Sequence, residues 1–269
     1  MGAMVRNDVD ILHISKLLCQ AGREILMPAF GRHANTIHIK HDGSIVTETD
    51  LRCQRFIREQ LTISYPEIGF MGEEMSEENQ RECLQQNNRF WCLDPLDGTN
   101  NFVASFPIFG TSLALIENGA PTLACIHAPA CDETFTAILH EGAWINGHPL
   151  CVRSEKSLPE AIGFVDFKRL DRGIAMCLAT ENHYRSQRNI GSCALEWAWL
   201  AAGRSHFIVH GSEKIWDYAA GSLLAEEAGC TVSDFNQKDL FHANNLSSSI
   251  VAASSAPLHQ QLSSLLTLG

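Results

Sequence analysis

Basic charge is scarce in this sequence: 20 Lys and Arg stand against 31 Asp and Glu, a formal net charge of −11 over 269 residues. A general affinity for nucleic-acid backbone needs clustered cations, so no nucleic-acid partner is expected. Long apolar runs are missing too. Stretches such as SLLAEEAGC are cut by charges well before the roughly 20 residues a membrane span needs. The N-terminal MGAMVRNDVDILHISKLL lacks the basic flank, apolar run and small-residue cleavage site of a signal peptide. A cytoplasmic protein with no membrane partner is the expectation.

No CxxC pair occurs among the ten cysteines, which are scattered through the chain. That spacing predicts reduced, mostly buried thiols rather than a disulfide framework. A zinc motif is absent as well: His206 and His210 are four apart, yet SHFIVH alternates like a strand and neither belongs to an HExxH pattern. There is no low-complexity linker and no internal repeat.

What the sequence does contain is 45% apolar residues, enough for a large core in a soluble protein. Asp8 is placed to cap a first helix with Ile11, Leu12, Ile14, Leu17, Leu18 and Ile25 at helical spacing, ending near Pro28 to Gly31. Short β-like pieces follow at TIHIK and SIVTE, then a helix over 49–64 closed by Pro66, then a strand at IGFMG. Residues 108–117, 121–128 and 133–139 read as strands, with Asn-Gly turns at 118–119 and 146–147. Beyond about residue 160 helix and strand mix: CALEWAWLAAG helical, SHFIVH a strand, WDYAAGSLLAEEAG a helix stopped by Gly229, SSIVAAS a strand, and a last amphipathic helix. The chain is expected to form one catalytic unit over 1–269, with a β-rich half (1–155) packed on an α/β half (156–269).

In FWCLDPLDGTNNF a buried strand ends in acids. Asp94 precedes a proline and is therefore biased to extended backbone, so its carboxylate can stand at the end of the sheet. Gly98 and Thr99 open a short helix, whose free N–H groups suit a phosphate. Carboxylates and phosphate repel each other unless cations lie between them, so the pair reads as a Mg²⁺ site for phosphate chemistry. Turn chemistry alone would make Asp97 a cap or an Asx-turn residue.

DPLDGTNNF resembles the DPxDGTxNF signature of the inositol monophosphatase family, within the Mg²⁺-dependent, lithium-sensitive phosphatase superfamily. KHDGSIVTETD from Lys40, FMGEE ending at Glu74 and WDYAAG from Trp216 follow in that family's order. The resemblance implies an α/β layered (α+β) sandwich with alternating helix and sheet layers, αβαβα. It implies two to three Mg²⁺ ions, held by Glu73, Asp94, the Leu96 carbonyl oxygen, Asp97 and Asp217, with Asp94 bridging two of them. Thr99 would bond the attacking water and be oriented by Asp50, and Glu73 would help deprotonate that water. Glu74 is a weaker candidate, read as a solvated acid or one outside direct contact with metal. Phosphate and substrate would meet Asp97, Gly98, Thr99, Gly191, Ser192, Cys193, His210 and Asp217.

The seventh residue before Asp217, usually a Glu that contacts the substrate's hydroxyls in such enzymes, is His210 here. Histidine can donate, accept or carry positive charge, which shifts the pocket toward a different polyol or a second anion. Alternatively it merely ends a strand and faces solvent. The expected activity is Mg²⁺-dependent hydrolysis of a small phosphate monoester, with inositol 1-phosphate first. Histidinol phosphate, fructose 1,6-bisphosphate and a 3′-phosphoadenosine nucleotide are the alternatives, as is a non-enzymatic regulatory partner. The family also suggests a homodimer.

Overall fold

Asp10, not Asp8, starts the first helix. Its carboxylate accepts the Leu12 N–H at 2.8 Å and caps α1 (Ile11–Ala21), while Asp8 lies out of reach and pairs with Arg89. The computed structural model describes residues 8–32, 37–40, 43, 45–152, 156–241 and 245–266. Thr36 and Ser44, which open the two β-like pieces, and the first seven residues of the N-terminal stretch lie outside the described residues.

A π-type turn over Gly22–Leu26 leads α1 into α2 (Met27–Ala29). Strands β1 (Ile37–Ile39) and β2 (Ile45–Thr47) pair antiparallel, and α3 (Glu48–Ser64) starts on a capping box formed by Thr47 and Asp50. β3 (Gly69–Gly72) delivers Glu73 and is followed by α4 (Glu77–Gln86), a helix too polar to show an apolar stripe in sequence. β4 (Arg89–Asp97), the short α5 (Thr99–Val103), β5 (Gly110–Glu117), β6 (Ala120–Ala128), β7 (Glu133–Ile138), β8 (Gly142–Ile145) and β9 (His148–Leu150) complete a seven-stranded sheet in the order β3-β4-β5-β6-β7-β8-β9. Both Asn-Gly pairs make the expected hairpin turns, with φ of 52° and 84° at 118–119 and 48° and 78° at 146–147.

The second sheet begins with β10 (Ile162–Asp166), followed by α6 (Arg172–Thr180), β11 (Ser186–Arg188), α7 (Cys193–Ala201), β12 (Phe207–Lys214), α8 (Ile215–Glu227), β13 (Thr231–Ser233), β14 (Ser247–Ala253) and α9 (Ala256–Leu266). Its order is β11-β10-β12-β14-β13, parallel around β10 and antiparallel around β14.

Three apolar clusters separate five layers. Leu17 and Leu18 of α1 and Ile57 and Leu61 of α3 cover one face of the large sheet through Trp91, Leu93 and Leu113. α7 and α8 fill the space between the sheets, with Trp197, Leu223 and Leu224 meeting Phe90, Cys92 and Ile126 on one side and Ile208 and Ile250 on the other. Leu178 of α6 and Leu258 and Leu262 of α9 close the far face over Val165, Val209 and Val251. The order is αβαβα, as expected. Because α8 is enclosed on both sides, its residues Ile215–Ala225 are all buried, and its apolar character runs all round. All ten cysteines are free: five are buried, and Cys131 and Cys151 are exposed.

Candidate active site

Side-chain alternation along β4 sets the geometry. Phe90 and Cys92 face the middle helices while Trp91 and Leu93 face the outer ones, so Asp94 falls on the middle-helix side. The β4–β5 register shifts between Asp94 and Asp97, and that irregularity turns Asp97 toward the same place. Gly98 then takes φ 86°, and a Cβ there would come within 2.9 Å of the Ile108 carbonyl oxygen, so only glycine fits. Asp217 arrives from the first turn of α8, where its carboxylate accepts the Lys214 N–H at 3.1 Å. Ligand atoms of Asp94, Asp97 and Asp217 lie within 4.8 Å of one another.

These three acids, Glu73 and Leu96 line a cleft of about 330 Å³, with Gly98, Thr99, Gly191, Ser192, Cys193 and His210 farther along it. Asp97 caps a helix, though not the one that follows it in sequence. Its oxygens accept the N–H groups of Cys193 at 3.2 Å and Ala194 at 2.9 Å, and the Ser192 hydroxyl, at the start of α7. Asp50 also serves two ends. Oδ2 accepts from the Thr47 N–H at 2.9 Å, while Oδ1 accepts the Thr99 hydroxyl at 3.0 Å. Thr99 Oγ1 lies 2.9 Å from the Leu96 carbonyl as well.

Burial and mutual repulsion hold the carboxyl groups of this corner above their usual range. Asp94 is held well above the usual carboxylate range by burial and then by Glu73, Asp97 and Asp217. Burial likewise pushes Asp97 up to about 7 against the pull of Ser192 and Ala194, and lifts Asp217 well above its usual value. Asp50 is pushed up to about 6 by burial, with the Thr47 hydrogen bonds opposing. Clustered carboxylate oxygens that resist ionising without a counter-ion fit a hard divalent cation such as Mg²⁺.

Glu74 is not solvated: its side chain is 5% exposed and pairs with Lys40 at 2.8 Å, and Lys40 also contacts Glu73 at 2.8 Å. Burial pushes Glu74 up to about 7, with Glu73 adding to the shift. Nor does His210 face solvent. Nε2 lies 2.8 Å from Glu196 Oε2 and Nδ1 touches Glu213, with side-chain exposures of 2%, 3% and 0%. Burial pulls its pKa down, but Glu213 and Glu196 outweigh that and raise it to about 10. Sequence reasoning missed both partners. A lone Glu196 inside the apolar CALEWAWL was the available signal.

Lys168 and Arg169 on the cleft rim were missed too, and neither carries a local signal. Arg169 donates to the Ser212 carbonyl at 3.0 Å and lies 3.7 Å from Asp217. Its segment approaches β12 so closely that a Cβ on Gly211 would fall 1.7 Å from the Arg169 carbonyl oxygen.

A layered αβαβα sandwich brings acids from a strand end, a turn and a helix start into one cleft, and comparison with known proteins gives the class, a phosphoric monoester hydrolase. A model described as the inositol monophosphatase family matches residues 8–267. The fructose-1,6-bisphosphatase/inositol-1-monophosphatase of Thermotoga maritima is 37% identical over 230 residues, 83% of this chain and 84% of that protein. The Nus factor SuhB of Xylella fastidiosa is 36% identical over 219 residues, 77% of each. The solved structure of a Thermotoga maritima IMPase superposes with a TM-score of 0.84 at 34% identity, over 97% of this chain and 98% of that one. The chain belongs to the inositol monophosphatase family, and it is a phosphatase of a phosphorylated small metabolite.

Proposed function

We propose that the whole chain acts as one Mg²⁺-dependent phosphomonoesterase, with inositol 1-phosphate its first-choice substrate. The observation that carries this reading is the convergence of Asp94, Asp97 and Asp217 from a strand end, a turn and a helix start. With Glu73 and the Leu96 carbonyl they would hold two to three ions. Bound Mg²⁺ would supply a more acidic water and neutralise charge on the phosphoryl and leaving oxygens.

The protein's own groups do the rest. Asp50 takes the Thr99 proton into a hydrogen bond, which leaves a lone pair on Thr99 Oγ1 to accept from the attacking water. Glu73 is the base for that water. Gly98 and Thr99 present backbone N–H groups to the phosphate, and Gly191, Ser192 and Cys193 border the remainder of the substrate. His210 sits at the cleft wall with both ring nitrogens taken by Glu196 and Glu213, so it gives the substrate's hydroxyls no carboxylate acceptor where a glutamate would.

Lys168 and Arg169 on the rim favour a second reading within the same chemistry, a bisphosphate whose other phosphate meets those cations. The family supports a homodimer and a cytoplasmic location. Among the described residues no helix is long and apolar enough to cross a membrane.

Phosphate release from inositol 1-phosphate, fructose 1,6-bisphosphate, histidinol phosphate and a 3′-phosphoadenosine nucleotide, with and without Mg²⁺, tests the reading. Turnover is expected to require Mg²⁺, to fall in excess Li⁺ and to be lost in Asp94→Asn. Wild-type activity in that variant refutes the metal-centred assignment. Silence on all four substrates favours a regulatory binding partner instead.

A further inference from the structure

Away from the cleft, the end of α6 gathers a sulfur, a nitrogen and an oxygen. Cys177 lies in the last turn of α6, Glu181 caps it, and His183 follows two residues on. Cys177 Sγ is 3.3 Å from His183 Nε2, and His183 Nε2 is 3.1 Å from Glu181 Oε2. All three atoms lie within 4.8 Å of one another.

The loop that carries them is set by its own backbone. The Glu181 N–H donates to the Cys177 carbonyl at 3.2 Å, the His183 N–H to the Glu181 carbonyl at 3.0 Å, and the Arg185 N–H to the Ala161 carbonyl at 3.0 Å. The Tyr184 hydroxyl donates to the Leu178 carbonyl. The three residues are therefore brought together by the backbone before any ligand arrives.

One ring nitrogen cannot satisfy both neighbours. Nε2 either carries a hydrogen that it gives to one of them or offers a lone pair that can accept only from the thiol. The carboxylate then faces that lone pair. A cation among the three atoms would satisfy all of them at once. Thiolate, imidazole and carboxylate are a borderline-soft set that suits zinc and not Mg²⁺, which takes oxygen ligands. In tetrahedral zinc such donors stand about 3.3 to 3.5 Å apart, close to the 3.3 Å between Cys177 Sγ and His183 Nε2 and the 3.1 Å between His183 Nε2 and Glu181 Oε2. His183 also lines an open groove with Leu158, Pro159, Gln260 and Gln261, so this corner is reached from solvent.

We propose that Cys177, Glu181 and His183 form a zinc(II) site separate from the phosphatase cleft. As the metal–sulfur bond forms, the Cys177 thiol proton leaves to solvent. The same segment continues through β11 to Asn189, Gly191 and Ser192 of the cleft, so the metal would anchor the start of a stretch that ends at substrate.

The test uses the full-length reduced protein saturated with Mg²⁺ and titrated with Co²⁺ as a spectroscopic substitute for zinc. One equivalent should give a near-ultraviolet thiolate-to-cobalt band that excess Zn²⁺ removes. Cys177→Ser should abolish the band, and Cys193→Ser, in the cleft, should keep it. Glu181→Gln, on a side chain 63% exposed and so outside the packed core, should weaken Co²⁺ binding by about tenfold or more. No band in the wild-type protein, a band that survives Cys177→Ser, or unchanged affinity in Glu181→Gln overturns the assignment.

Discussion

Replacing His210 by glutamine should cost much of the stability of this protein at neutral pH and remove a distinct alkaline transition. Gln cannot carry the charge that now separates Glu196 from Glu213, whose side chains are 3% and 0% exposed. Removing one partner from such a buried cluster costs about 3 to 5 kcal/mol, because the remaining charge stays desolvated. Titration leads to a similar figure. His210 is raised from 6.5 to about 10 in the folded state, and a pKa raised by folding stabilises the native state. That contribution is complete below the unfolded pKa, worth about 4 kcal/mol at pH 7, and falls below about 1 kcal/mol by pH 10. Urea unfolding of both proteins at intervals from pH 7 to pH 10 measures the difference directly. At pH 7 thermal unfolding should fall by about 8 to 16 °C, and the gap should close as pH rises. A variant as stable as wild type at pH 7, or a gap that stays constant to pH 10, refutes a charged His210.

Two further outcomes follow from the same structure. Folding raises the pKa values of Asp94, Asp97 and Asp217, so the metal-free protein loses stability as these acids ionise above their unfolded values, until pH passes about 7 for Asp97. Mg²⁺ at a hundredfold excess over its dissociation constant should therefore add about 2.7 kcal/mol, roughly 5 to 11 °C by scanning calorimetry, near pH 8, and less at pH 5; equal gains at both would contradict this. Gly221→Ala should destabilise by about 1 to 3 kcal/mol in urea, because its Cβ would stand 2.3 Å from Trp197, between α7 and α8; a neutral result would show that the two helices can separate without cost.

Much of the fold is visible in local pattern. Alternation marked the β5, β6 and β7 strands, Asn-Gly marked two hairpin turns, and near-helical spacing marked α1, α3 and α9. The polar helix α4 escaped because it lacks an apolar stripe, and the first cap was placed two residues early because Asp8 and Asp10 offer the same side chain. Within the site, Asp94, Asp97 and Thr99 were readable because strand, turn and helix start are contiguous there. Asp217 and Asp50 were readable through resemblance. The zinc-type triad was not, since a Cys, a Glu four residues on and a His two beyond form no familiar spacing.

By itself the sequence determined most helices, strands and turns, because hydrophobic period and turn residues act over a few neighbours, and its resemblance to a family, carried by motifs such as the unbroken DPLDGTNNF, gave the layer order and the class of reaction. Only the tertiary structure decided what lines the cleft. Lys168 and Arg169 reach the cleft because Gly211 lets their segment lie against β12, and the ring of His210 is closed in by Glu213 of its own strand and by Glu196, which α7 brings from fourteen positions away. Electrostatic environment is a property of distance in space, and sequence separation carries no record of it.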